Sequence, residues 1–285
     1  MSFVLTELGP AEPLEAARQH RFGLSPERWE RLARMRIWVT GAGTGFGQQI
    51  ALALLCAGAQ VILSGRREAK LTATLAQAVA LGANPQQGLV VAVDLCEPDS
   101  LTAALAMVEA AEPRLSGIVH AAAIPSQPAL TWPATAATLD HWQTMFDTNL
   151  RGPWFLSTAA LNMLRRDGHP RILMLGSEAG WAGSYGVGLY NVAKTALNGL
   201  VQTLAHEYAV RYPDLDLQIN LLVPGEARTE MNPCHPESPS AVIPMALTLL
   251  SQPPDGPNGC FFHRDGRHFS FGYTRQYAQP LKANS

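Results

Sequence analysis

The sequence predicts an α/β fold, a single domain built on one doubly wound sheet of seven parallel strands. Three observations lead there. From Arg36 onward, short runs rich in Val, Ile and Leu alternate with longer segments of helical period. The first run passes directly into a glycine-rich loop and then into a helix. With 285 residues, 47% of them hydrophobic, and 24 glycines, the chain can fill one sizeable core and reads as ordered throughout.

The strands are expected near residues 36–40, 60–64, 88–93, 116–121, 171–176, 216–223 and 258–263. Helices are expected between them, at about 45–58, 68–81, 98–112, 139–167, 185–212 and 240–251. Parallel neighbours need long crossovers, and these helices supply them. Ligands of such a sheet sit at the carboxyl ends of its strands, so function is expected in the strand-to-helix loops. The domain so defined covers residues 36–270, between an N-terminal arm at 1–35 and a tail at 271–285. The arm holds a short helix starting at Ser25-Pro26, where Ser caps and Pro takes the first helical position. Between Thr229 and Pro244 four prolines interrupt any periodicity, and the segment reads as a loop long enough to act as a lid.

Charge and cysteines narrow the function classes. The formal net charge is −2 with no long basic run, which leaves no electrostatic footprint for nucleic acid or an anionic membrane. The most apolar stretch, Ile50 to Leu63, is broken by Gln60 and falls short of a membrane span. Charged residues are only 15% of the chain, which points to surface covered by another subunit. Cys56, Cys96, Cys234 and Cys260 lie far apart, without a disulfide or zinc pattern, and suit a reducing cytoplasm. Cys234-His235 and Cys260-Phe-Phe-His263 do not converge, so no metal is expected. The charged run Arg264, Asp265, Arg267 and His268 is expected to be a solvated turn or a subunit contact.

The loop Gly41-Ala-Gly-Thr-Gly-Phe-Gly47 opens the helix near Gln48. Glycines there let the backbone turn sharply and approach a pyrophosphate, and the helix N-terminus offers N–H groups and partial positive charge. The spacing is T-G-x-x-x-G-x-G, carried by Thr40, Gly41, Gly45 and Gly47 around Phe46, in a Rossmann-type unit. A tight strand–helix turn without ligand is the alternative.

Tyr190 and Lys194 are four residues apart and share a helix face. A tyrosine acting as base near neutral pH needs a shift of about three units, roughly 4 kcal/mol. One ammonium about 4 Å away at an effective dielectric near 20 supplies that much. A surface pair is the bland alternative. Ser177 ends the fifth strand, where its hydroxyl can stabilise a developing alkoxide or merely cap a turn. Asn149 falls within a predicted helix, where Asn needs a reason to be buried, a structural hydrogen bond among them.

With these residues together the chain resembles the compact branch of the short-chain dehydrogenase/reductase family, from Thr40 to about Gly266. The resemblance implies an oxidoreductase that moves a hydride between a nicotinamide cofactor and a small-molecule carbonyl or alcohol. It makes Tyr190 the general acid/base, with Ser177 orienting the carbonyl. Lys194 lowers the tyrosine pKa and holds the ribose, and Asn149 anchors a water. Asp94 contacts the adenine, while Thr229 and the Ala227 backbone, after Pro224-Gly225, meet the nicotinamide amide. Ala122 joins the cofactor site in a departure from the family: His120-Ala-Ala-Ala123 stands where Asn-Asn-Ala-Gly is usual. It also implies a homodimer or homotetramer. Other readings are an epimerase or dehydratase of sugar nucleotides and a non-catalytic dinucleotide sensor. No acid occurs from Val61 to Arg67, whereas Ser64 and Arg66 suit a 2′-phosphate, so NADP(H) is expected over NAD(H). Solvated charges at a helix start are the alternative for the arginines. Trp181, Tyr185, Glu226 and Met231 are substrate-pocket candidates; Trp181 and Tyr185 fit core packing equally well, and Glu226 fits a solvent-facing carboxylate.

Overall fold

The computed structural model of the protein describes residues 18–125, 133–181, 183 and 186–270. Its strands are β1 (Arg36–Thr40), β2 (Gln60–Gly65), β3 (Gly88–Ala92), β4 (Gly117–His120), β5 (Arg171–Leu175), β6 (Gln218–Val223), β7 (Phe261–His263) and β8 (His268–Phe269). They form one sheet in the order β3-β2-β1-β4-β5-β6-β7-β8. The first seven run parallel, and β8 pairs antiparallel with β7. The sheet thus has eight strands where seven were expected. The extra strand spans two residues and returns through a turn at Gly266, with φ of 87°, too short to carry any periodicity of its own.

Alternation along the strands assigns the two faces. Ile37 and Val39 of β1 enter one core cluster and Trp38 between them enters the other. The first cluster lies under α1 (Pro26–Ala33), α2 (Gly45–Ala57), α3 (Glu68–Ala80) and α9 (Ile243–Leu250). The second lies under α4 (Pro98–Ala111), α6 (Gly152–Ala159), α7 (Leu161–Arg165) and α8 (Leu189–Arg211). Ser25 caps α1 through the Arg28 N–H, and Pro26 opens it. Phe22, Leu24 and Leu32 pack into the first cluster, so residues 18–34 lie on the same core. The rest of the arm, and the tail, lie outside the described residues.

The helix expected at 139–167 is broken. α5 (Leu139–Phe146) gives way to a π turn at Asp147–Arg151, followed by α6 and α7. Pro153 has no N–H to continue the ladder, and the Gly152 N–H reaches back five residues to the Asp147 carbonyl. α8 begins at Leu189 rather than 185, because Gly186 and Gly188 have φ of 83° and 56°, outside the helical region.

Two polar side chains are absorbed by the sheet. Ser64 is fully buried; its hydroxyl accepts from the Trp38 indole N–H at 2.8 Å and donates to the Val39 carbonyl. It faces the core and not a 2′-phosphate, which corrects its assignment to the cofactor. His120 ends β4 beside Thr40, with Nε2 2.9 Å from the Ser157 hydroxyl. Burial pushes its pKa down to about 3.

Both placements have measurable consequences. Ser64→Ala leaves the buried indole N–H without its acceptor and is predicted to cost about 1–3 kcal/mol in urea unfolding, with cofactor affinities unchanged. Equal stability would show that the hydroxyl is dispensable to the core. His120 is neutral in the fold, so its contribution is fully present above the ordinary histidine pKa of about 6.5 and is lost as pH falls toward 3. The loss approaches about 1.4 kcal/mol per pH unit, and His120→Asn is predicted to flatten that slope in pH-dependent melts. A variant as acid-sensitive as the wild type would assign the slope to other groups.

Candidate active site

The strand order reverses between β1 and β4, and a cavity of about 410 Å³ opens at their carboxyl ends. Its floor is the glycine loop. Gly41 and Gly45 adopt φ of 70° and 58°, and a Cβ on Gly41 would lie 2.6 Å from the Ala122 nitrogen. A Cβ on Gly47 would strike the Gly41 carbonyl, so Gly47 serves the packing of strand on helix and stays out of the cavity wall. Gly43, unassigned by the sequence analysis although it sits within the quoted loop, does line the cavity. Thr44 at the N-cap of α2 makes no side-chain bond to the first turn, which leaves that turn for an anion.

Thr40 and Phe46 flank this floor, Ala122 and Asp94 line the wall toward β4 and β3, and Pro224, Thr229 and Met231 close the other side. Gly225 and Ala227 lie behind that side: the Arg264 guanidinium packs on Gly225, and Ala227 is buried. Arg66 lines the adjoining edge and makes no hydrogen bond or ion pair to any described residue.

Tyr190 and Lys194 stand on the first turns of α8, at the far end of the cavity. The Lys194 side chain is buried, its Nζ donating to the Leu175 carbonyl at 2.7 Å and lying 5.5 Å from the centre of the Tyr190 ring. Burial lowers its pKa to about 8. Tyr190 is pushed up to about 12, chiefly by burial; a hydrogen bond with the Ser177 hydroxyl opposes this and the Glu178 charge adds to it. Lys194 is not among the groups that shift Tyr190 in this geometry, and its ammonium is turned to the strand carbonyl.

Ser177 accepts from the Ala179 N–H at 3.1 Å, capping the turn Glu178–Gly180, and so performs the structural role and faces Tyr190 together. Asn149 is buried in the π turn. Its amide accepts from the Ile124 N–H and donates to the Ile124 carbonyl, both at 3.1 Å, holding the loop after β4, whose Ile124 lines the cavity.

The substrate candidates divide. Met231 lines the cavity. Trp181 stacks on Phe269 with centroids 5.1 Å apart and meets Phe261 edge-on at 5.1 Å, partly buried against the second core cluster. The Glu226 side chain is 73% exposed and lies 3.5 Å from His235, away from the cavity. Tyr185 lies outside the described residues.

A cluster that sequence reasoning missed spans the cleft. Arg67 and Lys70 at the start of α3 pair with Glu230, at 2.6 Å and 3.9 Å, and all three line the cavity. No sequence signal joins residues so far apart in the chain. The loop carrying Glu230, expected as a lid, is internally bonded: Thr229 and Asn232 exchange backbone hydrogen bonds, and Arg264 ties Glu237 to the Glu226 carbonyl. Arg264 is thus a loop anchor, which corrects its reading as part of a solvated turn. Among the described residues no group of three or more His, Cys, Asp or Glu could hold a metal ion, and no helix is long and apolar enough to cross a membrane.

Comparison with known proteins agrees with this geometry. The family model for short chain dehydrogenase matches residues 35–238. The oxidoreductase YciK of Escherichia coli K12 is 27% identical over 222 residues, covering 75% of this chain and 85% of the relative. The 3-oxoacyl-acyl-carrier-protein reductase FabG of the same organism is 31% identical over 195 residues, covering 68% and 73%. Among solved structures, a short chain dehydrogenase of Shigella flexneri complexed with NADP has a TM-score of 0.72 at 26% identity, covering 81% of this chain and 96% of its own. One from Escherichia coli CFT073 complexed with NADPH has a TM-score of 0.70 at 27% identity, with coverage of 81% and 96%. The match runs from the first strand past the Tyr190/Lys194 helix and into the loop after β6, and the chain belongs to the short-chain dehydrogenase/reductase family.

Proposed function

We propose that this oxidoreductase is an NADP(H)-preferring carbonyl reductase or alcohol dehydrogenase with Tyr190 as its general acid/base. The observation that carries the reading is one continuous cavity, which begins in the glycine cradle and ends at Tyr190 and Lys194. The cradle suits a dinucleotide: a side chain on Gly41 would collide with the loop after β4, Gly43 faces the cavity, and the first turn of α2 is uncapped by side chains. When bound, a nicotinamide cofactor supplies or accepts the hydride.

The chain's own groups do the rest. Tyr190, neutral in its buried setting, donates its hydroxyl proton to a carbonyl oxygen as negative charge develops there. Ser177, hydrogen-bonded to Tyr190, offers a second donor to that oxygen. Lys194 holds its ammonium beside the ring and is assigned to a ribose hydroxyl. Asn149 shapes the wall through Ile124 and is the anchor proposed for a relay water. Thr229 and the Ala227 backbone are assigned to the nicotinamide amide and Asp94 to the adenine. Arg66, uncommitted at the cavity edge, takes the 2′-phosphate. The NADP and NADPH held by the two solved relatives support that preference. The four cysteines are free thiols, which suits a cytoplasmic protein.

The assembly proposed is a homodimer or homotetramer. Leu139, Trp142, Trp154 and Val192 are exposed on α5, α6 and α8, large apolar side chains of the kind that a second copy would cover.

Three measurements test this reading. Tyr190→Phe is predicted to lower turnover of a ketone panel at least about a hundredfold while cofactor binding persists; wild-type turnover would remove the tyrosine from the chemistry. Arg66→Ala should weaken NADPH by roughly 1.5–3 kcal/mol and leave NADH nearly unchanged; equal losses in parallel titrations would mean that Arg66 does not read the phosphate. Light scattering should report a dimer or larger, and a stable particle of 30.7 kDa at micromolar concentration would refute the assembly.

A further inference from the structure

The turn that carries Ser177 is bonded to the helix that carries Tyr190 by three side chains outside the proton-transfer set. Asn191 Nδ2 donates to the Ala179 carbonyl at 2.8 Å and Asn198 Nδ2 to the Gly180 carbonyl at 3.0 Å, while the single Thr195 hydroxyl proton is shared between the Gly180 carbonyl at 3.2 Å and the Asn191 carbonyl of its own helix at 2.9 Å. All three donors stand on α8, flanking Lys194. Gly180 makes the approach possible: a Cβ there would lie 3.0 Å from both the Asn198 amide nitrogen and the Lys194 carbonyl oxygen.

Asn198 carries the argument furthest. It is fully buried, one turn beyond the buried Lys194 on a helix face that continues with Leu197, Val201 and Leu204, and its Oδ1 has no hydrogen-bond partner among the described residues. Such an orphan acceptor costs about 1–3 kcal/mol, and an apolar residue of similar size would avoid it. What the amide supplies in return is the bond to Gly180. Asparagine is also a poor helix former, so neither propensity nor core packing accounts for it.

We propose that Asn198, together with Thr195 and Asn191, is a positioning residue for the reaction, fixing the Ser177 hydroxyl against Tyr190 by strapping turn 178–180 to α8. The inference rests on the proposed roles of Ser177 and Tyr190. The geometry needed is narrow, since a displacement near 1 Å at a reacting group costs about a hundredfold in rate. Ser177 is otherwise held by its bond from the Ala179 N–H and by the strand behind it, and the turn is flanked by Glu178, 3.3 Å from His263, and by Trp181 packed on Phe261 and Phe269. Without the strap the Ala179 and Gly180 carbonyls lose their tie to α8, and the hydroxyl beside them is no longer fixed in line with Tyr190.

The test is a double-mutant cycle on the full-length protein. Asn198→Leu is expected to lower kcat at least tenfold, with the cofactor dissociation constant within twofold of wild type and a cooperative melt retained. Introduced into Ser177→Ala, the same change should lower kcat less than twofold further, because the hydroxyl it positions is already gone. Thr195→Ser should retain activity where Thr195→Val loses it, and this milder pair serves if Asn198→Leu does not fold. A kcat within twofold of wild type, or an equal loss with and without Ser177, overturns the inference. Amide hydrogen exchange gives an independent reading that needs no turnover: Ala179 and Gly180 should exchange at least tenfold faster in Asn198→Leu while β5 stays protected. Unchanged exchange overturns the strap whatever the kinetics. Failure of the wild type to reduce any carbonyl while exchange responds would instead remove the proposed reaction, and with it the catalytic purpose of the strap.

Discussion

The bond from the Lys194 ammonium to the Leu175 carbonyl is the contact around which the site is arranged. An ammonium buried to this degree survives only where a fixed acceptor meets it, and the last carbonyl of β5 is that acceptor. The bond joins the central sheet to α8 at the level of the cavity. Strand end and helix start, which carry Ser177 and Tyr190, are thereby brought to one place although thirteen residues separate them in the chain. The same burial that makes the bond necessary brings Lys194 down to about 8 and Tyr190 up to about 12, so two groups of nearly equal proton affinity in water are driven apart, the tyrosine holding its proton the more tightly.

Electrostatics divide the cavity into two ends. At the Tyr190 end the polar groups are few, buried and individually bonded. At the other end Arg66, Arg67, Lys70 and Glu230 are half-exposed, and the pairing of Glu230 with two of the cations leaves Arg66 uncommitted. Such pairs are screened and individually weak. Their structural effect is to join α3 to the loop after β6, which has a second ionic anchor in Arg264 and Glu237.

The sheet was legible because parallel strands buried on both faces read as continuous apolar runs, and the glycine loop because its conformation demands glycine at fixed spacing. Tyr190 and Lys194 were legible because four residues make one helix turn. Ser64 misled for a clear reason. Its position at the end of β2 suits a phosphate, but the face it occupies is decided by Trp38, whose indole nitrogen needs an acceptor inside the core. The Glu230 bridge and the Asn198 strap were invisible because they join residues brought together only by the fold. β8 and the broken helix escaped because two residues carry no period, and because Pro153 changes a backbone ladder without disturbing the apolar pattern around it.

The π turn at Asp147–Arg151 makes this part of the chain sensitive to residue count as well as to residue type. A π turn accommodates one residue beyond the α-helical path, and each residue of an α-helix advances the side-chain direction by about 100°. Asn149 faces Ile124 because that extra residue is present, and the faces of α5 and α6 keep their relation to each other for the same reason. A chain shortened by one residue here could keep every apolar position and every helix former and still turn α5 away from its seat. In this segment length is itself part of the structural information, and drift by insertion or deletion meets a barrier that drift by substitution does not.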